Sequence, residues 1–269
     1  MPRRRGRELV FATYLAPCVR PTYAFVADRV GKVLGCPTRL VTGESYQQLR
    51  DGQVDFAFLC GLPYVRLRCE TPPPVEAVAA PVVRGDRYAG RPIYYSDVIV
   101  ARSSPIVSFR DLRGCSWAYN EPDSHSGYLV TLFSLLCRGE TGGFFGRSVM
   151  AGFHQESIRL VATGQVDASA IDSQVLSIEL RDHPELAEQV RVIDTFGPSS
   201  IQPLVTTRAT TEALRRQVRE IVIGLGAADA DREFLDQGLV DRFVAVDDVA
   251  YDDIRAMLES VERAGLSLG

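Results

Sequence analysis

The residues best suited to chemistry in this chain are Ser124, His125, Ser126 and Gly127. They sit in the run Tyr119-Asn-Glu-Pro-Asp-Ser-His-Ser-Gly-Tyr-Leu-Val130. Turn formers there give way to apolar residues at helical spacing (Leu129, Leu132, Phe133, Leu135, Leu136), so Pro122 and Asp123 end a strand and Ser124 or Ser126 caps a helix. A helix start leaves about four backbone N–H groups without intrahelical partners and carries partial positive charge. Small residues at that point let an anion approach those groups and add hydroxyl donors. An ordinary serine-capped helix reads the same way from this run alone, so the rest of the chain has to decide.

Acid–base chemistry has three candidates, His125, His154 and Asp172. Asp123, Ser124 and His125 are sequence neighbours, whereas a Ser-His-Asp triad needs side chains converging from separate elements. No catalytic residue is assigned. Asp172 directly follows a strand and is read either as a ligand contact or as a partner for a backbone amide. The six cysteines and three histidines show neither a CxxC pair nor metal-ligand spacing, so no metal or cofactor is expected and the cysteines are read as thiols.

The elements that must position these residues follow in order. Leu9–Leu15 and Thr38–Thr42 read as strands around a helix that Pro21 opens and Gly35 closes. A short helix at Tyr46–Arg50 stops at Gly52, before the strand Val54–Leu59. This βαβαβ order with short connections predicts a parallel sheet covered by helices. Beyond Pro72-Pro73-Pro74 come strands at Val75–Val83 and Tyr94–Val100 around a polar turn, one helical turn at Ser108–Gly114, and a strand at Cys115–Tyr119. A glycine-rich turn (Gly139, Gly142, Gly143, Gly146) is too irregular for a Walker-type phosphate loop. A helix at His154–Thr163, strands at Val166–Ile171, Arg191–Thr195 and Leu204–Thr207, and helices at Thr210–Leu225 and Asp247–Ala264 complete the chain.

One unit recurs. Residues 49–59 read LRDGQVDFAFL and residues 161–171 read VATGQVDASAI, a helix, Gly-Gln-Val-Asp and a strand each time. Two lobes of similar α/β build explain this, residues 1–99 with 199–269 forming the first and residues 100–198 an inserted second. A ligand in such a fold is expected in a cleft between lobes, near strand carboxyl ends.

At 269 residues, 46% hydrophobic and 24% charged, the chain is globular, and a net charge of −4 gives no nucleic-acid footprint. No apolar run approaches the ~20 residues that span a bilayer, and a monomer is expected. Arg3, Arg4, Arg5 and Arg7 ahead of Leu9–Ala16 and Cys18 superficially suggest an export or lipoprotein signal. Glu8, the short apolar part and Pro17 argue against one, so no signal is read and the compartment stays open between periplasm and cytoplasm.

From about residue 8 to 245 the chain resembles the substrate-binding proteins of phosphate, phosphite and phosphonate ABC transporters, the phosphonate-binding branch of the type II periplasmic-binding fold. The resemblance rests on Asp111-Leu-Arg-Gly114, Asn120-Glu-Pro-Asp-Ser-His-Ser-Gly127, His154 at a helix start and Gly164-Gln-Val-Asp167, in that order. It implies two lobes closing on an oxyanion, with permease subunits as partners. The family's Ser-Thr-Ser-Gly helix start falls on Ser124–Gly127, its cleft histidine on His154 and its cleft tyrosines on Tyr46 and Tyr94. His125 stands where the family has threonine, and is larger and titratable near neutral pH. Where relatives that bind aminoalkylphosphonates place acids against the ammonium, this chain has Gln174 and Gln202, so a ligand without an amine is expected. Two other readings use the same fold: a cytoplasmic ligand sensor, and an enzyme similar to the chorismate dehydratase of an alternative menaquinone route.

Overall fold

The computed structural model describes residues 7–140 and 143–268; Arg3, Arg4, Arg5 and Gly142, noted above, lie outside them. The chain divides into two compact units, Met1–Ile93 with Ser200–Tyr251 and Tyr94–Ser199 with Asp252–Gly269.

The first unit begins with β1 (Leu9–Thr13), α1 (Arg20–Leu34), β2 (Thr38–Thr42), α2 (Gln47–Arg50), β3 (Phe56–Phe58), α3 (Gly61–Arg68) and β4 (Val75–Val83). Pro21 lies in the first turn of α1, and Gly35 ends that helix in the left-handed conformation at φ 67°. Helix α3, which sequence reasoning missed, buries Gly61, Leu62, Pro63, Tyr64, Val65 and Leu67. It is covered on nearly every side, so its sequence carries no amphipathic period.

The second unit follows with β5 (Ile93–Ala101), β6 (Ser116–Tyr119), α4 (Val130–Cys137), β7 (Arg147–Met150), α5 (His154–Ala162), β8 (Ala168–Asp172), α6 (Ser173–Asp182), α7 (Leu186–Gln189) and β9 (Val190–Ser200). The chain then returns to the first unit for β10 (Leu204–Thr207), α8 (Glu212–Ile223), α9 (Asp229–Gln237) and β11 (Val240–Ala245). Strand β11, unforeseen, pairs antiparallel with β4 at the edge of the first sheet.

The last helix, α10 (Asp252–Ala264), differs from expectation: it groups with the second unit, not the first. Ile254, Leu258 and Val261 form its buried face, and it packs on α4. An amphipathic helix shows in its sequence which face is buried but not what buries it.

Strand order is β11-β4-β10-β3-β1-β2 in the first sheet and β7-β6-β8-β5-β9 in the second. Strands β2, β1 and β3 run parallel, as do β7, β6 and β8, while β10 and β5 are antiparallel to their partners β3 and β8. Each unit is therefore a mixed α/β layer built around a parallel core.

The repeated Gly-Gln-Val-Asp performs one job in both units. Gly52 and Gly164 end their helices in the left-handed region, at φ 64° and 68°, and Val54 and Val166 enter the core. The aspartate then hooks the neighbouring parallel strand. Asp55 accepts from the N–H of Val10 at 2.9 Å, and Asp167 from the N–H of Ser116 at 2.7 Å and its hydroxyl at 2.6 Å. The repeat is thus a strand-pairing device.

In the second unit Ile158 and Val161 of α5 and Leu176 of α6 pack with Ile99, Ala118 and Ile171 of the sheet. Burying each large aliphatic stabilises by roughly 1.5–3 kcal/mol, which holds α5 and α6 against the sheet. Among the described residues, no helix is long and apolar enough to cross a membrane.

Candidate functional site

Parallel neighbours end at the same edge of a sheet, and here that edge collects the starts of three helices. Tyr119 of β6 lies opposite Met150 of β7, and β8 runs parallel to β6. Beyond these strands come the helical segments starting at His125, His154 and Ser173. Strand β5 runs the other way, with Ser96 opposite Asp172, so Tyr94 reaches the same edge. Helix starts point N–H groups and partial positive charge outward; the one at Ser173 carries its own carboxylate cap, so the starts at His125 and His154 are the anion-tolerant part of this edge.

At the first helix start, Ser124 is the N-cap, accepting from the N–H of Gly127 at 3.1 Å. Residues His125–Leu129 form a π-helical turn that leads directly into α4, a wider winding frequent at functional sites. Gly127 allows a close approach, because a Cβ there would stand 1.9 Å from Asn120 Oδ1. Ser126 is left to a different partner. Its Oγ lies 2.9 Å from Nε2 of His154, both residues being buried.

His154 therefore does not cap its helix. The N-cap of α5 is Phe153, which makes no side-chain capping bond. Burial alone pushes the pKa of His154 down to about 4 and that of the fully buried His125 down to about 3. This corrects the expectation that His125 titrates near neutral pH, since charging an imidazole inside protein costs more than charging it in water. Both rings are neutral at pH 7. The ring of Tyr94, itself buried, lies 6.1 Å from that of His125. Glu121, in the loop ahead of Ser124, is held above the usual carboxylate range by desolvation and by Asp123.

At the third helix start Asp172 has the backbone-amide role expected as one of its two readings. Its Oδ1 accepts from the N–H groups of Gln174 at 2.8 Å and Val175 at 3.2 Å, so its carboxylate caps α6. Replacing Asp172 by alanine is expected to cost about 1–3 kcal/mol in urea denaturation, because both amides lose a buried partner; asparagine, itself a good cap, should restore most of it.

Gln174 is buried in the first turn of α6. Ser173, which sequence reasoning missed, accepts from the N–H of Tyr95 at 3.1 Å and ties β5 to this edge. An aspartate at a strand end followed by polar residues is an N-cap signature that could have revealed it.

Ser124, His125, Ser126, Gly127, His154, Gln174 and Tyr94 are thus all in the second unit, at one edge of its sheet. Tyr46 and Gln202 belong to the first unit. Tyr46 precedes α2 with its ring 5.1 Å from that of Tyr14, and Gln202 is buried just ahead of β10.

Residues 10–251 match the family model described as the periplasmic substrate-binding protein of phosphonate ABC transporters. The phosphonates-binding periplasmic protein of Escherichia coli K12 is 25% identical over 153 residues, 55% of this chain and 45% of that protein, so the match spans less than half of that relative. A binding protein component of an ABC phosphonate transporter from Pseudomonas aeruginosa shares the fold, with a TM-score of 0.84 at 20% identity, covering 96% of this chain and 87% of that one. PhnD1 from Prochlorococcus marinus MIT 9301, solved in complex with methylphosphonate, has a TM-score of 0.80 at 16% identity over 95% of this chain and 98% of that one. With nine-tenths of its length matched by one family model, the chain belongs to the periplasmic substrate-binding proteins of phosphonate ABC transporters.

Proposed function

We propose that this protein binds a small tetrahedral oxyanion without an amine (phosphate, phosphite or a small phosphonate) and presents it to the permease subunits of an ABC-type importer. The observation that carries the proposal is the meeting of the helix starts at His125 and His154 on one sheet edge, with the buried Ser126 hydroxyl and the imidazoles of His125 and His154 among them. Ser124, Ser126 and the backbone beside Gly127 form the anion grip. His125 and Tyr94 flank it. Neutral donors of fixed geometry bind a desolvated anion while rejecting shapes that a bare positive charge would accept.

Gln174 supports the restriction on amines, because a carboxamide cannot neutralise an ammonium group. The methylphosphonate held by the Prochlorococcus protein has the size and the missing amine that this reading requires. Tyr46 and Gln202 enter the proposal through the family resemblance alone. The groups at this edge are assigned to binding and not to turnover.

Calorimetry with phosphate, phosphite, methylphosphonate and 2-aminoethylphosphonate tests the reading. One of the first three is expected to bind at least about tenfold more tightly than the amine, and at a hundred times its Kd to stabilise the fold by about 2.7 kcal/mol. Tightest binding of the amine would sink the restriction, and no binding by any of the four would sink the oxyanion. Phosphorus NMR after prolonged incubation should show the ligand unchanged; a new signal would favour the enzyme reading.

A further inference from the structure

Thr13 ends β1 opposite Thr42 of β2 and Phe58 of β3, so the segments that follow these parallel strands leave one edge of the first sheet. The carboxyl ends of parallel strands are where folds of this class place ligand groups. Tyr14 follows β1 there, and residues 43–46 follow β2. The N–H of Gly43 donates to the carbonyl of Thr13 at 2.9 Å and brings the two segments together.

Residues 43–46 are folded around the ring of Tyr14. On one side is Gly43, where a Cβ would stand 2.1 Å from Cε1 of that ring and 2.3 Å from Cζ. The backbone of Gly43 is not left-handed, so what the position needs is the space. On another side lies the ring of Tyr46, its centroid 5.1 Å away and its plane tilted by 42°. The Tyr14 hydroxyl is 3.1 Å from both the carbonyl oxygen of Ser45 and Oε1 of Gln48. That Oε1 also accepts from the N–H of Glu44 at 3.0 Å. One phenol thus meets the whole segment, directly or through Gln48. Burial pushes its pKa up to about 12, which keeps the hydroxyl protonated and a donor. Glu44 and Ser45 are exposed, and an exposed loop keeps one shape only where the scaffold fixes it.

We propose that Tyr14 is a positioning residue: without touching the ligand, it holds residues 43–46 so that the Tyr46 phenol keeps one orientation toward the oxyanion. This rests on the oxyanion reading and on the ligand role that the family resemblance gives Tyr46, and it adds how the first unit presents that group. A side chain ordered before the ligand arrives loses less freedom on binding, so more of its hydrogen bond appears as affinity.

Two measurements decide. Calorimetry with the best of the four probes, run as a double-mutant cycle, separates positioning from contact. Tyr14→Leu removes the ring and Gly43→Ala displaces it; each should weaken binding about tenfold. Tyr46→Phe, which removes the donor itself, should lose about ten- to thirtyfold. Adding Tyr14→Leu to Tyr46→Phe should then cost no more than about twofold further. Additive losses would mean that Tyr14 touches the ligand, and full affinity in any of the three single variants would leave nothing to position; either result overturns the proposal. The second measurement needs no ligand. Three-bond couplings of labelled tyrosine in the unaltered protein should report a single χ1 rotamer at Tyr46, with ring-to-ring Overhauser contacts to Tyr14, whereas Gly43→Ala should show averaging. Averaging in the unaltered protein would overturn the proposal. That spectrum decides if a variant fails to fold. It also decides if none of the four probes binds, an outcome that counts against the oxyanion reading alone.

Discussion

Lowering the pH from 7.5 to 4.5 is expected to cost this protein on the order of 3–5 kcal/mol of stability, most of it through His125 and His154. An unfolded histidine takes up its proton near pH 6.5. In the folded chain, burial holds uptake back to about pH 3 at His125 and about pH 4 at His154. Between those limits the unfolded state binds up to two more protons than the folded state, so stability falls as pH falls. What the two groups contribute is fully present above pH 6.5 and is lost progressively down to the folded values. Glu121 works the other way: its raised pKa lets the folded state hold a proton the unfolded chain has released, which offsets part of the loss. Most carboxylates titrate lower, so the histidines dominate the upper part of the window. Urea denaturation at half-unit pH steps measures the curve, and His125→Thr should remove about half of the fall. A flat profile from pH 7.5 to 5 would mean that the two rings are hydrated and charge as freely as in water.

The features legible in sequence are those where one residue type has a single physical use. Pro21 and Gly35 bracket α1, Ser124 caps the helix that follows β6, and the paired Gly-Gln-Val-Asp segments mark equivalent turns in the two units. Each depends on local backbone geometry, which sequence expresses directly. The features not foreseen are tertiary. Helix α3 hides its period because most of its residues are buried, and β7 is a four-residue edge strand with no buried residue, too short and too exposed for alternation to register. The membership of α10 depends on which surface meets its apolar stripe. At the site, residue types were legible but protonation was not. His125 reads as a titratable group in sequence and becomes a neutral one only because the fold encloses it completely.

Replacing Gly127 by alanine is expected to weaken binding of the best ligand by about a hundredfold or more and to lower stability by about 1–3 kcal/mol. The added Cβ would stand 1.9 Å from Oδ1 of Asn120 and 3.0 Å from its Cγ, inside the contact distance of carbon and oxygen. Either the half-buried Asn120 side chain moves aside or the helix start is pushed away from the end of β6. The second course breaks the cap from Ser124 to the N–H of Gly127 and moves Ser126 off His154, so two arrangements in the grip fail together. Each hydrogen bond to a charged ligand that is lost in this way costs about 1.5–3 kcal/mol. The first course can be tested by removing the obstacle. Asn120→Ala combined with Gly127→Ala should recover most of the stability, because the clash is with that side chain and the backbone N of Asn120 is 3.4 Å away. Gly139→Ala is the control. It has φ +72° but nothing within 4 Å of a new Cβ, so it should cost about 1 kcal/mol of backbone strain and leave affinity unchanged. If Gly127→Ala binds within about threefold of the unaltered protein, the helix start has room to spare, and the close approach of an anion to its N–H groups is not what Gly127 is there to permit.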